Sequence, residues 1–291
     1  MRVAVLGTGS MGTALAETLL KAGHEVVVYN RTASKMAPLV ALGAKKVETP
    51  GDAIKTADAT IVVLVDGSAV RDVLLDGATR SLLAGKKLLN VTTTTSIDIV
   101  DIAREVTSCG GDLAEVSVTV YPDQVRSMQG QYIIGCRSSD EPLWSKLLLS
   151  IGQCVHRAGE VGDASTAETP LVSVFMFNII ATAYAAAIGT KLKVSPAILQ
   201  HYLTANPTMT VTGAGDLLPQ MIARKYSEST ASVDNMMYAA NMTLDQARLL
   251  KIPTDALVSM IGLFQSASDR GLGAKDVSGV YEALIEPVVG G

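Results

Sequence analysis

Apolar and polar positions follow one rhythm in the first half of this chain and another in the second. From the start to about residue 160, short β-rich runs alternate with helix-periodic stretches. Arg2–Leu6 predicts a strand, Ser10–Ala22 a helix and Glu25–Tyr29 a second strand, and residues 32–42 read as helical. Residues 59–65 and 87–91 are continuous apolar runs, as expected of strands covered on both faces. Residues 131–135 and 153–156 read as later strands, and a further sheet segment precedes Tyr121. Strands alternating with helices imply a doubly wound, mainly parallel α/β sheet.

The rhythm changes at Gly159–Asp163, beyond which no strand pattern recurs. Residues 167–190 form one long apolar helix. Ser195-Pro196 opens another with a cap and a proline at the first helical position. Further helices are expected over 216–226, 232–250, 253–268 and 275–285. The division is therefore an N-terminal Rossmann domain, 1–160, and an all-α domain, 161–291, joined by a long interdomain helix. Apolar residues occupy every face of that helix, more than a small helical domain can cover. A partner subunit is the natural cover, so a homodimer is expected; threading the middle of its own bundle is the other reading.

Composition narrows the function. With 48% hydrophobic and 18% charged residues the chain folds into a core. A formal charge of −4 and 4% aromatics give no electrostatic or stacking case for nucleic acid or an anionic membrane surface. Cys109, Cys136 and Cys154 have neither disulfide-framework nor zinc spacing, which suits a reducing cytoplasm and no metal. The Gly and Thr positions after Leu6 interrupt any leader-like run. The apolar stretch 171–188 carries Asn178 with Ser and Thr, which suits a buried helix better than a membrane span.

Gly7-Thr8-Gly9-Ser10-Met11-Gly12 follows a strand and opens a helix, the context that gives a GxGxxG pattern its meaning. Gly7 permits the tight turn, Gly9 admits a pyrophosphate and Gly12 lets helix and strand approach. Thr8, Ser10 and Met11 complete the loop over the positive helix end. Where strand two ends, an NAD site usually carries an acid for the ribose hydroxyl. This chain has Asn30, then Arg31, Thr32, Ser34 and Lys35. A neutral amide does not repel a 2′-phosphate and a guanidinium can pair with it, so NADPH is the expected cofactor. Thr32 is also placed to cap the next helix, and Arg31 and Lys35 can be read as plain surface charges. Val65 and Asp66 follow one strand end. Thr92 to Thr95 follow another, where they suit either the cofactor or a turn and helix start capped by Thr or Ser96.

These pieces resemble the 3-hydroxyacid dehydrogenase superfamily and, within it, the imine reductases and reductive aminases. The resemblance runs through Val5–Gly12, Gly23-His24-Glu25-Val26, Asn30-Arg31-Thr32, Asn90-Val91-Thr92-Thr93 and Gly159–Ser165. It implies an NADPH-dependent reductase, dimeric with exchanged helical domains, whose site lies between one subunit's Rossmann domain and the other's helices. The sequence departs from the pattern at both chemical positions. The lysine that a 3-hydroxyacid dehydrogenase carries near the start of the long helix is missing, since no Lys occurs between Lys146 and Lys191. The position where imine reductases carry Asp or Tyr falls on Glu168, and Thr93 stands where reductive aminases often have Asn.

Glu168 shares a helical face with Leu171, Val172, Phe175 and Ile179. A carboxyl there could give a proton to the product or stabilise a cationic iminium. Ser165-Thr166-Ala167-Glu168 also reads as a capping box, which dissolves if the helix starts nearer Asp163. Tyr121, Val172, Phe175, Met176, Met237 and Tyr238 are candidate substrate-pocket residues, with core packing the alternative for each. The expected activity is hydride transfer to the C=N bond of a small cyclic imine or iminium, with Thr93 beside the reacting centre and Glu168 as acid or countercharge. The rivals are a C=O-reducing 3-hydroxyacid or semialdehyde dehydrogenase and a non-catalytic NADPH-binding protein.

Overall fold

The computed structural model describes residues 1–205, 214–229 and 231–285. Two compact units result, Met1–Ser173 and Val174–Gly291. The first begins with β1 (Arg2–Leu6), α1 (Ser10–Lys21), β2 (Glu25–Tyr29), a 3-10 turn (Ala33–Met36), α2 (Ala37–Ala41), β3 (Lys45–Lys46), α3 (Pro50–Thr56) and β4 (Ala59–Val62). It continues with α4 (Gly67–Leu74), α5 (Gly77–Arg80), β5 (Lys87–Asn90), α6 (Ser96–Ser108), β6 (Asp112–Val118), α7 (Pro122–Arg126), β7 (Gln131–Gly135), α8 (Glu141–Leu149) and β8 (Cys154–Gly159). The strands form one sheet in the order β3-β2-β1-β4-β5-β6-β7-β8. All neighbours are parallel except β6 and β7.

The continuous apolar runs are explained by burial on both faces. Along β1, Val3 and Val5 join one core and Ala4 and Leu6 the other, the two-residue alternation of a pleated strand. α1 and α8 cover the first face with Leu15, Leu19, Trp144 and Leu147. α3, α4 and α6 cover the second with Ile54, Leu74, Ile99 and Ile102. Leu6 and Leu88 are fully buried, so truncating either to Ala costs about 2–5 kcal/mol. The strand order reverses between β1 and β4, which leaves a crevice at their carboxyl ends.

The expected strands over 59–65 and 87–91 end earlier, at Val62 and Asn90, because the chain turns away where the cleft begins. β3 and most of β6 carry little of the predicted pattern. β3 is a two-residue edge strand of exposed lysines. β6 buries Glu115 within its apolar run.

α9 (Asp163–Lys191) starts four residues before the expected helix and passes through the division between the units. α10 (Pro196–Ala205), α11 (Ala214–Ala223), α12 (Val233–Leu249), α13 (Asp255–Ala267) and α14 (Tyr281–Ile285) complete the second unit. Among its described residues, β structure is confined to two isolated bridges. Its small core joins Leu244, Ala247, Ile252 and Leu257 to Tyr184, Ala187 and Ile188 of α9. The Tyr184 hydroxyl donates to the Pro253 carbonyl at 2.8 Å. Earlier in α9 the apolar residues Leu171, Phe175, Met176, Ile179 and Ile180 are exposed, and Phe177 is 77% exposed. By length and composition α9 could cross a membrane. Its first turns, however, are hydrogen-bonded to β6 by polar side chains.

Candidate active site

The glycine turn is shaped by close approach. Gly7 has φ +102°, and a Cβ there would sit 2.0 Å from the Val63 carbonyl oxygen. A Cβ on Gly12 would fall 2.1 Å from the carbonyl oxygen of Gly7. Gly9 differs: a Cβ on it would meet no atom within 4 Å, so protein packing does not require the glycine. It stands at the cap of α1 and no side chain caps the helix. The first N–H groups of α1 are thus left for a ligand, and the positive helix end suits a pyrophosphate. Ser10 is exposed and Met11 half-buried beside this opening.

Asn30 works between loops. Its Oδ1 accepts from the Thr8 N–H at 3.0 Å and its Nδ2 donates to the Thr32 carbonyl at 3.0 Å. This couples the glycine turn to the loop after β2. The Thr8 hydroxyl is buried without a hydrogen-bond partner among the described residues. Arg31, Thr32, Ser34 and Lys35 are all exposed, and among the described residues Arg31 and Lys35 enter no ion pair. The expected Thr32 cap is not made: Thr32 precedes the 3-10 turn but its side chain makes no cap bond. Two cations and two hydroxyls therefore stand unengaged where a ribose phosphate would sit in a dinucleotide fold.

Between the ends of β4, β5 and β6 and the start of α9 lies a cleft of about 210 Å³. Met11, Val65, Thr93, Thr94, Ser117 and Glu168 are among the residues that line it, and no Lys, Arg or His does among those described. Thr92 is buried and structural: its hydroxyl accepts from the Leu64 N–H at 2.9 Å, and the Asn90 amide donates to its carbonyl at 2.8 Å. Thr93 is exposed to the cleft, and the Thr94 hydroxyl is buried with no partner among the described residues. Thr95, rather than Ser96, caps α6, accepting from the Asp98 N–H at 3.1 Å. Asp66 caps α4, accepting from the Ala69 N–H at 2.8 Å and the Ser68 hydroxyl at 2.7 Å. Those two bonds, the Ala69 N–H first, hold its carboxyl below the ordinary value. Val65 beside it is 85% exposed.

Glu168 is half-buried and accepts a hydrogen bond from the Ser117 hydroxyl at 2.8 Å. The capping-box reading of Ser165 and Glu168 fails because α9 begins at Asp163, which puts Ser165 inside the helix. The helix start is held by Glu115 instead, which the sequence reading missed together with Ser117. Glu115 is 2% exposed and accepts from the N–H groups of Gly162 at 2.6 Å and Ala164 at 3.0 Å. The one sequence signal was an acid inside a strand-like apolar run.

The candidate substrate residues are not gathered here. Tyr121 is exposed at the cap of α7, and Val172, Phe175 and Met176 are exposed on α9. Met237 and Tyr238 lie on α12 in the second unit. None of the six lines this cleft.

A family model described as the NAD binding domain of 6-phosphogluconate dehydrogenase matches residues 2–159, just over half of the chain. The fold is similar to that of an imine reductase from Myxococcus stipitatus solved with NADP+. The TM-score is 0.92 at 22% identity, covering 98% of this chain and 100% of that one. A reductive aminase from Aspergillus terreus, solved with NADPH4, cyclohexanone and allyl amine, is 27% identical with a TM-score of 0.87, over 97% of this chain and 99% of that one. By sequence, the chain is 27% identical to the chloroplastic glyoxylate/succinic semialdehyde reductase 2 of Arabidopsis thaliana, over 97% of this chain and 79% of the relative. With its glycine turn, doubly wound sheet and strand-end cleft, the chain belongs to the 6-phosphogluconate dehydrogenase type of NAD-binding proteins, as an NAD(P)-dependent reductase of the 3-hydroxyacid dehydrogenase family.

Proposed function

We propose that this protein reduces the C=N bond of a small, uncharged-bodied imine or iminium, using NADPH. The observation that carries the reading is the sign of the cleft. Its described lining holds two carboxylates, Glu115 and Glu168, and no cationic side chain. A semialdehyde or keto acid brings a carboxylate that needs a cation, and an acidic cleft repels it. An iminium brings the opposite charge. NADPH supplies the hydride when bound. Gly9 and the open end of α1 receive the pyrophosphate, and Arg31, Thr32 and Lys35 receive the 2′-phosphate. Thr93 and Thr94 line the cleft and would orient the reacting end by hydrogen bonds. Glu168, steadied by Ser117, either holds the positive charge of the iminium or gives its proton to the developing amine nitrogen.

The carbonyl reading keeps one argument, the likeness to the semialdehyde reductase over nearly the whole chain. Steady-state assays with NADPH separate the two. Turnover of 1-pyrroline or 3,4-dihydroisoquinoline well above that of succinic semialdehyde or 3-hydroxy acids supports imine reduction. The reverse order removes it.

The reading includes a homodimer. The support for it is the run of exposed apolar side chains on α9 around Phe177, which a second copy of the chain would cover. Sedimentation of the intact chain at micromolar concentration is expected to give a dimer, and Phe177→Glu to shift it toward monomer.

A further inference from the structure

Glu115 and Ser117 lie two residues apart on β6 and share one face of the strand. Ser165 and Glu168 lie three apart on α9 and share one face of the helix. They meet as two crossed pairs: the strand's acid takes the helix's hydroxyl, and the helix's acid takes the strand's hydroxyl. The pairs are not equivalent. Glu115 Oε1 accepts from the N–H groups of Gly162, Ala164 and Ser165, at 2.6, 3.0 and 3.4 Å, and Oε2 accepts from the Ser165 hydroxyl. Both its oxygens are engaged in holding the start of α9. Glu168 accepts from Ser117 and otherwise borders the cleft.

We infer that Glu115 is a positioning residue: by anchoring the first turn of α9 to β6, it sets where the Glu168 carboxylate stands in the cleft. This rests on the reading of Glu168 as the acid of imine reduction. Two further facts carry it. The anchor spans 47 to 50 residues of sequence, so it ties the helix start to the sheet, which the local bond from the Glu160 N–H to the Asp163 carboxylate at 2.8 Å does not do. Gly135 on the neighbouring strand leaves room for both the side chain and the turn before α9: a Cβ there would fall 2.5 Å from the Glu160 carbonyl oxygen and 2.7 Å from Glu115 Oε1. A buried acid that caps a helix, with a glycine opposite to admit it, fixes the first turn of that helix in one register. Glu168 follows one turn later. A misplacement of about 1 Å at such a site can cost on the order of 100-fold in rate.

The test is a double-mutant cycle on the full-length protein with NADPH and the imine it turns over best. Glu115→Leu is expected to lower kcat by about 10-fold or more while leaving NADPH affinity unchanged. Glu115→Gln keeps an oxygen for the Gly162 and Ala164 N–H groups and is expected to restore kcat to within about 3-fold. In the Glu168→Gln background, Glu115→Leu should cause no further loss, because it acts through a group already removed. Amide exchange at Gly162, Ala164 and Ser165 should quicken in Glu115→Leu whatever the substrate. If Glu115→Leu does not fold, Ser165→Ala takes its place, with an expected loss of about 3-fold that again vanishes without Glu168. A Glu115 loss that multiplies with the Glu168 loss, or wild-type kcat in Glu115→Leu, overturns the positioning while leaving the role of Glu168 standing. Full turnover in Glu168→Gln alone overturns both.

Discussion

The carboxyl edge of the sheet has two ends of opposite character. After β2 stand Arg31 and Lys35, exposed and without ion pairs among the described residues, beside the uncapped start of α1. Where β6 meets the start of α9 stand Glu115 and Glu168, lining a cleft with no described cation. One end is built to receive negative charge and the other to receive positive charge. Asn30 at the basic end, and Asp66 and Thr92 between the two, carry polar groups that are already bonded to protein and hold the loops in place. The difference separates groups that build the site from groups left over to act. It also matches an anionic cofactor at one end and, at the other, the cationic substrate we propose.

Each end can be broken separately. The largest effect is expected at the acidic end, where Glu168→Gln keeps the shape but loses both charge and proton. Imine turnover should fall by about 100-fold or more, with NADPH affinity unchanged by fluorescence titration. At the basic end, Arg31→Ala should weaken NADPH about 10- to 100-fold and leave NADH nearly alone, which would erase the preference between the two coenzymes. Added salt should weaken NADPH binding to the wild type more than to that variant, since the ion pair is exposed. The smallest effect is expected in the middle. Asp66→Ala should leave cofactor affinity unchanged and lower the thermal midpoint slightly through loss of the α4 cap. The sign with pH follows from its lowered carboxyl. The cap contribution is complete at neutral pH and is lost only as pH falls through that lowered value. A large change in NADPH affinity in Asp66→Ala would show that the middle region is not merely structural.

How much of this was legible in the sequence depended on whether the cause was local. The runs Arg2–Leu6 and Glu25–Tyr29 and the glycine turn are written in neighbouring residues, and the structure bears them out. β6 was obscured by Glu115, an acid tolerable at 2% exposure only because N–H groups of Gly162 and Ala164 reach it from far along the chain. The same long-range bond decides between the two readings of Ser165 and Glu168 that the sequence leaves open. Their spacing fits a capping box, but the helix starts earlier because β6 supplies its cap. Arg31 and Lys35 were legible as free cations. Asn30 was legible as a departure from an acid, but its bridge from Thr8 to Thr32 needed the fold. Among the threonines, only the fold separates Thr92, which staples two strand ends, from Thr93, which faces the cleft.

The most direct test of the opposed ends is a crystal structure of the protein with NADPH and the amine product of the imine it reduces. The account predicts the 2′-phosphate against Arg31 and the amine nitrogen within about 3 Å of the Glu168 carboxylate. An amine nitrogen held by other groups, with Glu168 turned away from it in every copy, would contradict the account.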